Sequence, residues 1–150
     1  MLSNLPRQKL LNAILFFTKN IKHPYKLKIF KLLFLLDFKH IKEKGYPVTN
    51  LNYYSWKMGP VPRDLFNEIK SGISDDFKQY IKFETITLSN DNDAFKFIPL
   101  KNPDMSIFTK REKRILDDLV FMYKDATAEE MTEITHLKNQ PWDKTIKSIV

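Results

Sequence analysis

The run KLKIFKLLFLLDFKHIKEK, from Lys26 to Lys44 and closed by Gly45, constrains the fold more than any other stretch. At ~100° per residue, Lys28, Lys31, Lys39 and Lys42 project along one narrow arc and apolar side chains take most of the remaining circumference. A helix apolar around most of its girth has to be buried by several neighbours at once. The expected class is therefore α+β and predominantly helical, with helix 26–44 central and other helices around it. Asp37 is the anomaly, because it falls inside the apolar arc between Leu33 and Ile41. A carboxylate there needs donors.

With 150 residues, 43% hydrophobic and 29% charged, the chain has globular proportions, and residues 1–150 are expected to form a single domain. Lysines interrupt every apolar run before it reaches the ~18–20 residues of a membrane span. The N-terminal apolar patch lacks a small-residue cleavage site, so a mature cytoplasmic protein without a membrane partner is expected. Absence of cysteine excludes disulfides, thiol nucleophiles and thiolate metal sites. The net charge of +7 is concentrated in residues 1–50, which carry +8, against −1 in residues 51–100 and 0 in residues 101–150. Such asymmetry suits an acidic partner or nucleic acid, although lysines that merely solvate exposed helical faces give the same count.

Along the chain, Leu5 to Ile21 has helical spacing and stops at His23-Pro24. Tyr53, Tyr54 and Trp56 favour an extended segment. Pro60 and Pro62 then exclude helix until Pro62 itself, which suits a first helical position; a helix to Lys70, ending at Gly72, follows. Asp75 to Tyr80 reads as a further helical turn. Two β-rich runs flanking Asn90-Asp91-Asn92-Asp93 predict a small antiparallel hairpin near 82–100, with Pro99 at a strand end. Thr109 with Glu112, and Thr127 with Glu130, match the capping box and open helices of about 110–124 and 128–137. Pro141 starts a last helix through Ile149.

Catalytic sets are missing from the sequence. His23, His40 and His136 belong to no recognisable acid–base motif, and Glu133 with His136 supplies only one copy of a spacing that carboxylate-bridged metal sites use twice. The three glycines, Gly45, Gly59 and Gly72, form no phosphate loop. No catalytic residue, cofactor or metal is expected, and the protein is read as a non-enzyme. A helix-turn-helix across Asp125-Ala126 would turn Glu129, Glu130 and Glu133 towards phosphate, so any nucleic acid would use the lysine-rich N-terminal half. Asp37 is read as a structural acceptor that pins the Tyr53-to-Arg63 segment, and Gly59 as a residue needed for its backbone. If that segment is exposed, Tyr54, Trp56, Met58 and Arg63 make suitable interface anchors.

KLLFLLDFKHIKEKGYPVTNLNYYSWKMGPVPRDLFNEI resembles the Panacea domain, the SocA-like antitoxin family: a leucine-rich helix ending in aspartate, a glycine, then a G-P-V-P turn entering a helix. TKREKRILDDLVFMYKDATAEEMTEITHLKNQPWDKTI is similar to the C-terminal part of the same family. The resemblance implies a bacterial or phage toxin-antitoxin protein that neutralises a protein toxin encoded nearby, in some members by delivering it to an ATP-dependent protease. Asp37, Gly59, Pro60, Val61, Pro62, His136, Pro141 and Trp142 match the family pattern. The combined expectation has Asp37, Gly59, Pro60 and Pro62 as structural pivot. Partner binding falls to Lys28, Lys31, Lys39, Lys42, Tyr54, Trp56, Met58, Arg63, His136 and Trp142. The alternative is a DNA-binding regulator of its own operon.

Overall fold

The computed structural model of the chain describes residues 4–56, 59–87 and 93–135. Helix α1 (Leu5–Asn20) starts at Asn4, whose side chain accepts the Arg7 amide at 2.8 Å, with Pro6 in the first turn, where its missing N–H costs nothing. Helix α2 (Lys26–Lys44) ends at Gly45, which adopts the left-handed φ of 91° that favours glycine. Its bounds are those the periodicity implied.

Helices α4 (Lys110–Tyr123) and α5 (Ala128–Thr135) both open on the expected capping boxes. Thr109 exchanges side-chain and backbone hydrogen bonds with Glu112, and Thr127 does so with Glu130. Two contacts at opposite ends make α4 antiparallel to α2: the Lys28 ammonium reaches the Lys124 carbonyl at 3.1 Å, while Glu43 accepts from Arg111 and Arg114. Lys9 paired with Glu112 at 2.8 Å and the Lys22 amide bonded to the Lys124 carbonyl at 2.8 Å then make α1 parallel to α4. Ile29, Phe30, Leu32, Leu33 and Leu36 of α2 thus vanish from solvent among Leu11, Ile14 and Phe17 of α1, Leu116 and Leu119 of α4 and Met131 of α5.

Two antiparallel hairpins flank this helical layer, where the sequence indicated one. Strands β3 (Ile81–Thr87) and β4 (Asp93–Pro99) form the expected pair, with Pro99 at the end. The addition is β1 (Tyr53–Trp56) paired with β2 (Gly59–Pro62), Tyr53 opposite Pro62 and Trp56 opposite Gly59. Two prolines in four residues look like a strand breaker. Because they alternate, Gly59 and Val61 keep the amides able to donate to β1, and the ladder survives. Pro62 therefore ends β2 as the residue before helix α3 (Arg63–Lys70), which starts one position later than expected.

Asp75 to Tyr80, expected as a further helical turn, forms hydrogen-bonded turns outside the assigned helices, held by Phe77 and Lys78 amides on the Ser74 carbonyl. Arg7 ties α1 to this region: its guanidinium binds Asp76 at 2.8 and 3.0 Å, Glu68, and the Ser74 hydroxyl at 2.9 Å, and lies 4.0 Å from the Phe77 ring centroid. Those bonds hold the Asp76 carboxyl down at about 2. A short 3-10 turn, Met105–Ile107, capped by Asp104, was not legible beforehand. The helix expected from Pro141 to Ile149 lies outside the described residues.

Candidate interaction site

Asp37 is 1% exposed, and its carboxylate accepts four hydrogen bonds from the segment just beyond α2. Oδ1 takes the Val48 and Thr49 amides, each at 2.8 Å; Oδ2 takes the Thr49 hydroxyl and, at 2.7 Å, the Tyr53 hydroxyl. All four partners lie within the sixteen positions that follow Asp37, where Gly45 turns the chain back over α2. Asn50, at a φ of 60°, completes the reversal. Burial pushes the Asp37 carboxyl above its usual range, and the bonds from Thr49 and Tyr53 pull against that shift. Burial and the neighbouring Asp37 charge together push the Tyr53 hydroxyl well above its ordinary value. The peg holds Val48 to Tyr53, upstream of the G-P-V-P turn, and its donors are amides and hydroxyls with no part played by Arg63.

The consequence is positional. Tyr53 is the first residue of β1, so fixing its side chain fixes where the hairpin leaves the helix. Its ring meets Phe34 edge-on, with centroids 5.2 Å apart, and Phe34 stacks in parallel on Phe38 at 5.8 Å. The ammonium of exposed Lys42 lies 5.6 Å from the Phe38 centroid. Gly59, Pro60, Val61 and Pro62 are buried against α2, and Gly59 has a φ of 108°, which a side chain at this position would strain. On the outer side, the exposed Arg63 guanidinium lies 5.1 Å from the centroid of half-buried Tyr54. The first residue of α3 thus sets a cation over an aromatic face of the pegged hairpin.

The lysine arc is not one surface. Lys28 and Lys31 are each 1% exposed, whereas Lys39 is half-buried and Lys42 exposed. Lys28 donates to the Lys22 and Lys124 carbonyls at 2.9 and 3.1 Å and so staples the α1–α2 connection to the end of α4. Burial lowers the Lys28 ammonium below its ordinary value, against the pull of Asp125 and Glu130, and lowers that of Lys31 to about 8. Lys28 and Lys31 are therefore withdrawn as free partner-binding cations. Helical periodicity shows which residues share an arc, but α4 and α5, which cover the lower half of this one, arrive some hundred residues later. Met58, His136 and Trp142 lie outside the described residues, as does the Trp56 side chain; of the remaining candidates the structure brings Tyr54 and Arg63 into contact, sets Lys42 by Phe38, and leaves Lys39 half-buried on α2.

His40 does not join Asp37 in an acid–base pair: its Nδ1 lies 2.6 Å from the Tyr46 carbonyl, and the two rings meet edge-on at 5.0 Å. Among the described residues no three His, Asp or Glu side chains gather as a metal site, and no helix is long and apolar enough to cross a membrane. Sequence reasoning missed Thr49 and Val48 as peg partners. The signal was a hydroxyl residue and a tyrosine closely following a glycine-capped helix that carries a buried aspartate.

A family model described as antitoxin SocA-like, Panacea domain, matches residues 29–143. No curated protein and no solved structure matches the chain.

Proposed function

The chain belongs to the SocA-like antitoxin, Panacea domain family, and from that premise we propose that it binds and neutralises a protein toxin encoded beside it, acting by contact rather than catalysis. Its working surface is the outer side of the β1–β2 hairpin and the start of α3, around Tyr54 and Arg63, extended by Lys39 and Lys42. The observation that carries this reading is the Asp37 peg, which commits a buried carboxylate and four donors to holding a short hairpin whose outer side offers an exposed cation on an aromatic ring. Rigid aromatic and arginine anchors are the residues that concentrate binding energy in protein interfaces. Pre-organisation of this kind lowers the entropy lost on association.

The same surface suits presentation of the toxin to an ATP-dependent protease in the cytoplasm, a finer step that separates from simple capture by whether toxin levels fall. Co-expression of the neighbouring toxin with this chain provides the test. Growth should be restored and the two proteins should co-purify, with both lost in the double variant Tyr54→Ala/Arg63→Ala. Toxicity that persists with no co-purification of the wild-type pair would sink the proposal. Binding to the upstream DNA that weakens with salt and with Lys39→Gln/Lys42→Gln would favour the operon regulator instead, although burial of Lys28 and Lys31 removes two of the four cations that reading relied on.

A further inference from the structure

Helix α4 carries its charges in the order that its own dipole disfavours. A helix N-terminus prefers carboxylates and a C-terminus prefers cations. Yet α4 opens with Lys110, Arg111, Glu112, Lys113 and Arg114, continues with Asp117 and Asp118, and has no basic residue in its last turn. Glu112 does not relieve this at the surface, because it is 1% exposed and already engaged by Lys9 and the Thr109 amide. The fold then adds like charge. Since α4 runs antiparallel to α2, its start lies beside the last turn of α2 and Lys44. Lys44, Lys110, Lys113 and Arg114 are exposed and Arg111 is half-buried, with Glu43 as the carboxylate between the two helices. Arg114 and Arg111 hold that carboxyl below its ordinary value. The net charge of 0 over residues 101–150 conceals the cluster, because acidic residues further along that stretch offset it.

We propose that this end of the molecule, Lys44 with Lys110, Arg111, Lys113 and Arg114, binds the phosphate backbone of duplex DNA. The reading goes beyond toxin capture and does not depend on it, and the N-terminal half supplies only Lys44 to the surface. Crowding of cations at the wrong end of a helix adds nothing to stability, whereas a polyanion relieves it. Arg111 and Arg114 already converge on one oxygen of Glu43, the arrangement that a phosphate oxygen would take. Other partners fit this face less well. Protein interfaces are depleted in lysine and use aromatic anchors, and membrane-surface helices need an apolar face; Phe121 and Met122, the exposed apolar pair of α4, stand in its other half. Single strands call for several stacking rings. Tyr46, two residues after Lys44, is one ring, already edge-on to His40. Duplex phosphates require only positive charge and guanidinium donors.

Fluorescence anisotropy of the full chain with a labelled duplex of about 20 base pairs and arbitrary sequence, between about 25 and 200 mM salt, tests this. The logarithm of the affinity should fall with that of the salt at a slope of about −3 to −4, which is about four phosphates at roughly −0.9 each. Lys44→Gln/Lys110→Gln/Lys113→Gln should flatten the slope by about 2–3 and weaken binding at least about tenfold. Lys110→Gln/Lys113→Gln alone should weaken binding while raising the urea midpoint, which a structural role for these lysines would lower. Lys19→Gln/Lys22→Gln/Lys124→Gln removes as much charge at the opposite end of the 19-residue α2. That end is ~28 Å away, nearly three screening lengths at 0.1 M salt, so the loss should stay under about threefold. Tyr54→Ala/Arg63→Ala should bind the duplex as the wild type does, so toxin capture and DNA binding fail separately. No binding at about 25 mM salt overturns the proposal. Equal losses for the two lysine triples, or tighter binding to polyglutamate or to phosphatidylserine vesicles than to the duplex, also overturn it.

Discussion

The two hairpins, with strands of 4 and of 7 residues, solve the problem of a two-stranded sheet in different ways. Such a sheet is marginal alone and leaves an open edge on each side. The β1–β2 hairpin is held from below: Asp37 fixes Tyr53, Phe34 meets its ring, and β2 is buried along its length with prolines at alternate positions. Pairing at the β2 edge is therefore blocked by residue type. In β3–β4, β4 takes the support, through α1 and the Pro24–Tyr25 connection, and β3 carries exposed charges on an edge without proline. One hairpin is positioned by a buried polar group; the other is held by the Phe97 amide on the Pro24 carbonyl and by the Ile81 amide on the Phe77 carbonyl. The first hairpin is the one proposed above to meet a protein partner.

The comparison breaks most readily at Asp37. Asp37→Ala leaves four buried donors without an acceptor and should cost on the order of 3–5 kcal/mol; Asp37→Asn, which keeps one oxygen, should cost less. Urea unfolding followed by circular dichroism gives both values, and hydrogen exchange of the β3–β4 amides in the remaining folded fraction should be less affected than that of β1–β2. Equal loss at both hairpins would show that they are not independent.

Lys28→Met comes next. Loss of two bonds from a buried ammonium to carbonyls should destabilise by about 1–3 kcal/mol, whereas Lys42→Met, on the exposed half of the same arc, should change stability by less than ~0.5 kcal/mol. Matching effects would restore the lysine arc as a single surface. In a double-mutant cycle, Tyr54 and Arg63 should couple by about 0.5–1 kcal/mol, the worth of an exposed cation–π pair. Either single change should cost more in toxin binding than in stability.

The smallest effects are in pH. Asp76 is held at about 2 by Arg7, below its unfolded value, so the stability it contributes is present above pH ~4 and lost as pH falls towards 2. Arg7→Gln should remove that acid dependence. Lys31 runs the other way: its folded value of about 8 lies below the unfolded one, so the unfolded chain binds the extra proton and stability should rise between pH ~8 and ~10.5. That rise should vanish in Lys31→Met.

The helical part of this fold was written locally. Cap residues, glycine stops and apolar spacing are read within one turn of the residues they govern, and α2, α4 and the Glu112 and Glu130 boxes stand where those signals put them. What escaped is non-local. Burial of Lys28 depends on a carbonyl at position 124, and the lysine arc could not report it. Pairing of β1 with β2 was hidden because proline frequency outweighs proline phase in a short run. Asp37 was recognisable as an acceptor in need of donors from its place on the helix; which donors would come was not, since amides carry no sequence signature. The Tyr54 and Arg63 contact was legible only as two suitable residue types nine positions apart.

The central claim is that Asp37 works as a peg beneath the partner-binding hairpin and not as a group presented to the partner. The urea midpoint of Asp37→Ala, read beside its ability to neutralise the toxin, tests it most directly. A large fall in the midpoint together with weakened neutralisation is the predicted result; an unchanged midpoint with neutralisation lost would contradict the claim and make the carboxylate a contact in its own right.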